Sequence, residues 1–70
     1  MTPQREVKIL VYPHRIEVYE GGLFAGGVSA PDADYHRMTE IADKKAEEYS
    51  LSTWERLEIV DLRTRQRRAV

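Results

Sequence analysis

The feature that most constrains the fold of this chain is one stretch of helical periodicity between Asp32 and Tyr49. Apolar and aromatic residues recur there at helical spacing: Tyr35, Met38, Ile41, Ala42, Ala46 and Tyr49. At about 100° per residue these side chains share one arc, and most of the charged residues fall opposite. A helix with a single apolar face needs a surface to cover, so the remaining residues must build that surface.

The rest of the chain alternates in polarity as strands do. Predicted strands cover residues 6–12, 16–20, 23–28 and 56–63. Pro13-His14 interrupts the first alternation, and Gly21-Gly22 suits a two-residue hairpin that needs positive φ. Gly26-Gly27 weakens the third strand, so we expect a bulge or an edge position there.

The predicted order is therefore β-β-β-α-β, an α+β domain with a small antiparallel or mixed sheet and one amphipathic helix packed on one face. Short connections favour the sheet order 3-2-1-4, with the last strand parallel to the first. Five residues are expected to face the helix: Val7, Ile9, Val11, Ile16 and Val18. The other face of the sheet stays open. Either Ser29 or Asp32 is expected to cap the helix.

Length and composition limit the possible classes of protein. Seventy residues make one domain, with an ordered part at about 6–63 and a flexible basic tail at 64–70. The absence of cysteine excludes disulfides and thiolate metal sites. No apolar run reaches the roughly 18 residues of a membrane span, and the start does not resemble a secretory signal, so we expect a cytoplasmic protein.

No arrangement of side chains indicates catalysis. His36 and Glu40 are four residues apart and could weakly hold a metal, but two ligands without a third rarely make a specific site. A solvated pair on the helix surface is the simpler interpretation. The serines and threonines suit caps and turns, and none stands in a nucleophile motif. We expect no enzymatic activity, no metal and no cofactor.

The first functional hypothesis is binding to a larger host protein or protein complex. Leu23 and Phe24 lie at a glycine-flanked tip, and Trp54 lies between the helix and the last strand. Aromatic residues of this kind often supply binding energy at interfaces. Acidic residues of the helix would face a basic partner: Glu40, Asp43 and Glu47. Each feature has an alternative interpretation: the tip is a hairpin turn with a bulged strand, Trp54 belongs to the core, and the acidic helix face is simply solvated.

Two other hypotheses come from different classes. A nucleic-acid-binding module would stack bases on Tyr12 and Tyr19 of the open sheet face. Its phosphate contacts would come from the basic tail: Arg63, Arg65, Arg67 and Arg68. The net charge of −1 is unusual for a nonspecific DNA binder. A homodimeric accessory subunit of an enzyme would instead bury Trp54, Val60 and Leu62 against a second copy.

The order of these elements resembles a known type of protein. The residues that carry the likeness are Ile16-Glu17-Val18-Tyr19, Ser29-Ala30-Pro31-Asp32, the helix 35–49 and Leu57-Glu58-Ile59-Val60. Over residues 6–63, size and element order resemble very small phage- and mobile-element-encoded inhibitors of host machinery. Anti-CRISPR proteins and the small phage inhibitor of bacterial RNA polymerase are examples. The resemblance implies inhibition by binding a host complex and assigns no individual functional residue.

Overall fold

A computed structural model describes residues 6–52 and 56–69 as five strands and one helix. The elements are β1 Glu6–Val11, β2 Arg15–Glu20, β3 Leu23–Ser29, α1 Tyr35–Ser52, β4 Arg56–Asp61 and β5 Gln66–Ala69. They form one mixed sheet in the order β3-β2-β1-β4-β5, in which β1 and β4 are parallel and the other pairs are antiparallel. The α+β class and the order 3-2-1-4 are confirmed, and β5 extends the sheet.

The core lies between α1 and one face of the sheet. The buried residues are Val7, Ile9, Val11, Ile16, Val18, Met38, Ala42, Ala46, Leu57 and Ile59. Two of the three helix residues in this set are alanines, whose small side chains let α1 lie close to the strands. The five sheet residues predicted to face the helix are all buried, so the predicted strand facing is confirmed. At about 1.5–3 kcal/mol for each large side chain, this burial is the main source of stability.

The glycines account for the turn and the bulge. Gly21 and Gly22 have φ of 57° and 84°, as a two-residue hairpin turn requires. The register of β2 with β3 shifts between Val18 and Tyr19, which confirms the expected bulge. At Gly27 a Cβ atom would lie 2.4 Å from the carbonyl oxygen of Ile16, so the backbones approach too closely for any side chain.

The helix begins three residues later than its periodicity predicted. The Asp34 side chain caps it, because its Oδ1 accepts a hydrogen bond of 2.8 Å from the backbone N–H of Arg37. The predicted caps Ser29 and Asp32 are therefore wrong. Residues 30–33 instead form a turn, in which the N–H of Ala33 donates to the carbonyl of Ala30 at 3.1 Å.

The predicted flexible tail is also incorrect. The last predicted strand ends at Asp61, residues 62–65 form a turn, and β5 pairs with β4 from Gln66 to Ala69. Arg65 makes the reversal possible by adopting a positive φ of 60°. The arginine-rich composition concealed this strand, because a short polar segment with no apolar alternation reads as a tail. Pairing with β4 satisfies backbone groups that would otherwise form a sheet edge.

Candidate binding surface on the open sheet face

The face of the sheet turned away from α1, here called the open face, carries side chains from all five strands. The strand registers place these residues on it: Lys8, Leu10, Tyr12, Arg15, Glu17, Tyr19, Phe24, Glu58, Val60 and Arg67. Among the described residues no second layer covers this face. Tyr12 and Tyr19 lie on it, as the alternation predicted.

Apolar side chains form the centre of the open face. Leu10 and Val60 are paired across β1 and β4 and are half-buried. The rings of Tyr19 and Phe24 meet edge to face, with centroids 5.6 Å apart and an interplanar angle of 75°. Phe24 is nevertheless 63% exposed. Antiparallel sheets that face water are normally polar on that side, so this patch is unusual for a solvated surface.

A shallow depression lies beside this patch. It has a volume of about 340 Å³ and is lined by Glu6, Lys8, Leu10, Tyr19 and Gly22. Leu10 forms an apolar part of its lining, while Glu6 and Lys8 contribute charges of opposite sign. The open face thus offers both a protruding ring and an adjoining concavity, two shapes that a partner surface could match.

Charged side chains on the open face are paired with one another. Arg15 lies 3.9 Å above the centre of the Tyr12 ring, and its Nε donates to Glu17 at 3.2 Å. The Tyr19 hydroxyl donates to the same carboxylate at 3.2 Å. The Arg15 hydrogen bond lowers the pKa of Glu17. Desolvation, together with the neighbouring Glu17, raises the pKa of Tyr19. These contacts hold both tyrosines in place.

The Arg63 guanidinium, predicted to contact phosphate, is engaged with groups of its own fold. Its side chain is only 7% exposed and forms a two-pronged ion pair with Asp61 at 2.8 and 2.9 Å. It also donates to the Thr39 hydroxyl and to the Tyr35 carbonyl, each at 2.9 Å, and lies 3.9 Å above the Tyr35 ring. Tyr35, expected in the helix core, is 52% exposed and contacts this guanidinium instead.

The other arginines of the predicted basic tail point in different directions. Arg67 lies on the open face, 3.7 Å from the Glu58 carboxylate. Arg68 lies on the helix side and pairs with Asp43. Arg65 lies in the exposed turn. The structure therefore does not bring the four arginines together into one basic surface.

The residues predicted to bind a protein partner are likewise divided. Phe24 lies on the open face opposite Tyr19, whereas Leu23 pairs with Glu20 and is 76% exposed on the other side. Glu40 pairs with Arg37 at 3.1 Å on the outer surface of α1. Asp43 and Glu47 are also exposed on α1. Trp54 lies outside the described residues. Of the members that the structure describes, only Phe24 lies on the open face.

Sequence reasoning did not assign Leu10 and Val60 to the protein-binding surface. The signal was available for Leu10, which shares the alternation phase of Tyr12, whereas Val60 joins this face through its pairing with Leu10 across β1 and β4. Val60 was assigned to a dimer contact together with Trp54 and Leu62, and Leu62 is 41% exposed in the turn after β4. A half-buried apolar pair on the side of a sheet without a helix indicates a contact surface once the sheet order is known.

No family model, curated protein or solved structure matches this chain. Within the described parts of the chain, no three His, Cys, Asp or Glu residues lie close enough together to hold a metal ion. No helix among residues 6–52 and 56–69 is long and apolar enough to cross a membrane. The function is therefore inferred from the surface chemistry of the open face.

Proposed function

We propose that this protein is a small non-enzymatic binding module that occupies a surface of a larger protein with its open face. The supporting observation is two apolar pairs on the open face, Leu10 with Val60 and Tyr19 with Phe24. Leu10 and Tyr19 line the same depression, and α1 covers the sheet from the other side only. Exposed apolar patches rimmed by polar residues mark protein interaction sites. Aromatic residues at the centre of such a patch contribute most to binding.

The charge distribution favours a protein partner over a nucleic acid. A phosphate-binding surface needs cations that can release counterions. Here Arg63 and Arg68 are committed to Asp61 and Asp43, and Arg15 is compensated by Glu17. A protein interface tolerates this arrangement well, because paired charges at a rim provide specificity without a large net field.

Within this class we propose a cytoplasmic inhibitor of a host complex, of the phage or mobile-element type that includes anti-CRISPR proteins. The resemblance in size and element order supports it, as does a sheet face that α1 leaves uncovered. A homodimeric enzyme subunit that uses Trp54, Val60 and Leu62 stays a prediction.

The test is affinity capture from host lysate followed by titration of the purified partner. Phe24→Ala and Val60→Ala should each weaken binding, with a loss of about 2 kcal/mol or more expected for the aromatic residue. Leu23→Ala is the matched control, because it removes an exposed side chain from the same tip but on the other side of the sheet. It should bind like the wild type. Equal losses for Leu23→Ala and Phe24→Ala would contradict the proposal.

A salt titration separates the nucleic-acid alternative. Anisotropy of a fluorescent single-stranded oligonucleotide should show no binding that falls log-linearly with salt between about 50 and 200 mM. The protein complex should change little over the same range. Steep, salt-dependent oligonucleotide binding that Arg65→Ala and Arg67→Ala abolish would overturn the protein-binding proposal.

A further inference from the structure

Lys8 lies in the middle of the open face. It belongs to β1, the central strand of the sheet, and its cross-strand neighbours are Tyr19 on β2 and Glu58 on β4. Lys8 lines the depression of about 340 Å³ described above and also a second one of about 310 Å³ towards β4. A partner that covers the open face would therefore cover this ammonium group as well.

Two carboxylates close to Lys8 are already matched by other cations. Glu17 accepts a hydrogen bond of 3.2 Å from Arg15, and the Glu58 carboxylate lies 3.7 Å from Arg67. Within residues 6–52 and 56–69, no carboxylate forms an ion pair with Lys8. Lys8 is thus an exposed cation between apolar side chains, with no anion of its own fold to compensate it.

The charge count of the open face leads to the same residue. Glu6, two residues before Lys8 on β1, has Arg56 on β4 as its direct cross-strand neighbour. The described strand residues of this face carry four cations and three carboxylates: Lys8, Arg15, Arg56 and Arg67, and Glu6, Glu17 and Glu58. Each carboxylate has a cation beside it, so the one positive charge left over is that of Lys8.

We propose that the partner of the open face presents an aspartate or glutamate to Lys8, next to an apolar side chain that enters the depression lined by Leu10. This inference rests on the function proposed above. A charge that is covered without a counterpart loses its hydration and gains no ion pair in return, which is strongly unfavourable. Because the carboxylates of this face are already matched, the missing anion has to come from the partner.

The first test is zero-length cross-linking of the wild-type complex with a carbodiimide, which joins a lysine amine to a carboxylate in direct contact with it. Mass spectrometry should find Lys8 linked through an amide to an aspartate or glutamate of the captured partner. Lys44, exposed on α1, is the internal control and should form no link to the partner. A complex in which Lys8 forms no such link would overturn the proposal.

The second test is titration of the captured partner with variants of Lys8. Lys8→Glu should raise the dissociation constant about tenfold or more, because two carboxylates would then face each other. Lys8→Arg keeps the charge and should stay within about threefold of the wild type. Lys44→Glu makes the same charge change on the outer surface of α1 and should bind like the wild type. Circular dichroism verifies that each variant is folded.

The variants separate this inference from the proposed function. If Phe24→Ala weakens binding while Lys8→Glu binds like the wild type, the open face is the interface but the partner presents no acidic side chain to Lys8. If Phe24→Ala and Lys8→Glu both bind like the wild type, the proposed function fails and this inference fails with it. Tighter binding of Lys8→Glu would indicate a basic partner and would also overturn the inference.

Discussion

At the scale of single residues, Arg63 shows how one side chain joins three parts of the fold. Its guanidinium pairs with Asp61 at the end of β4, while its own backbone lies in the turn that leads to β5. The same group holds Thr39 and the Tyr35 carbonyl in the first turns of α1. An arginine in a basic segment reads as a surface charge in sequence. Only the fold shows that its side chain is 7% exposed and that its guanidinium donates to Asp61, Thr39 and Tyr35.

Replacing Arg63 should therefore destabilise the protein. Arg63→Ala leaves the partly buried Asp61 without its ion pair and should cost roughly 2–4 kcal/mol of unfolding free energy. Arg63→Lys should recover only part of this, because an ammonium cannot reproduce the two-pronged contact or the stacking on Tyr35. Chemical denaturation measures these effects. Arg65→Ala, in the same turn, should stay within about 0.5 kcal/mol of the wild type. A similar small effect for Arg63→Ala would contradict the network.

The same pair predicts how stability depends on pH. The hydrogen bonds from Arg63 hold the pKa of Asp61 below its usual value of about 3.9. This contribution is complete above the unfolded pKa and is lost as the pH falls through the lower, folded pKa. Urea titrations should show wild-type stability decreasing below about pH 4. Asp61→Asn should be less stable at neutral pH and have a flatter acid limb. An unchanged acid limb in that variant would refute the assignment.

At the scale of elements, alternation and short connections were sufficient to predict four strands, one helix and the order of the first four strands. Local chemistry decided what was missed. The helix starts at Tyr35 because the carboxylate of the preceding Asp34 accepts a hydrogen bond from the Arg37 N–H, while Pro31 and its neighbours form a turn. β5 forms because its backbone pairs with β4. Backbone pairing requires no apolar alternation, and Gln66-Arg67-Arg68-Ala69 has none.

The strand facing has a direct energetic consequence. Ile9→Ala, Val18→Ala and Ile59→Ala each remove apolar atoms from the core beneath α1 and should cost roughly 1–4 kcal/mol. A domain of this size has few kcal/mol to lose. Lys8→Ala, between two buried residues on β1 but on the opposite face, is the control and should melt near the wild-type temperature. Unchanged melting temperatures for all three core variants would refute the assignment of these residues to the sheet face beneath α1.

Removing the last strand tests whether β5 belongs to the domain. Truncation before Thr64 exposes the outer edge of β4 and removes the ion pair of Arg68 with Asp43. We expect the melting temperature to fall by roughly 5–10 °C, the change that corresponds to about 1–2 kcal/mol in a domain of this size. A truncated chain with the wild-type melting temperature would show that residues 64–70 are a dispensable tail.

At the scale of the whole molecule, one helix on one sheet leaves two unlike surfaces. The outer surface of α1 carries compensated charges, among them the pairs of Arg37 with Glu40 and Lys45 with Glu48. The open face combines an apolar centre with two fixed tyrosines. Alternation predicted which tyrosines lie there. It placed Leu10 there as well, but it did not show that Val60 and Phe24 join them, because that depends on which strands are neighbours.

The most direct test of the central claim is a map of backbone amide hydrogen exchange, with and without the captured partner. We expect added protection to centre on the strands of the open face, at Leu10, Tyr19 and Val60, and exposed residues of α1 such as Asp43 to exchange as in the free protein. Phe24→Ala should reduce that protection at equal concentrations. Protection confined to α1, with the strands unchanged, would contradict the proposal that the open face binds the partner.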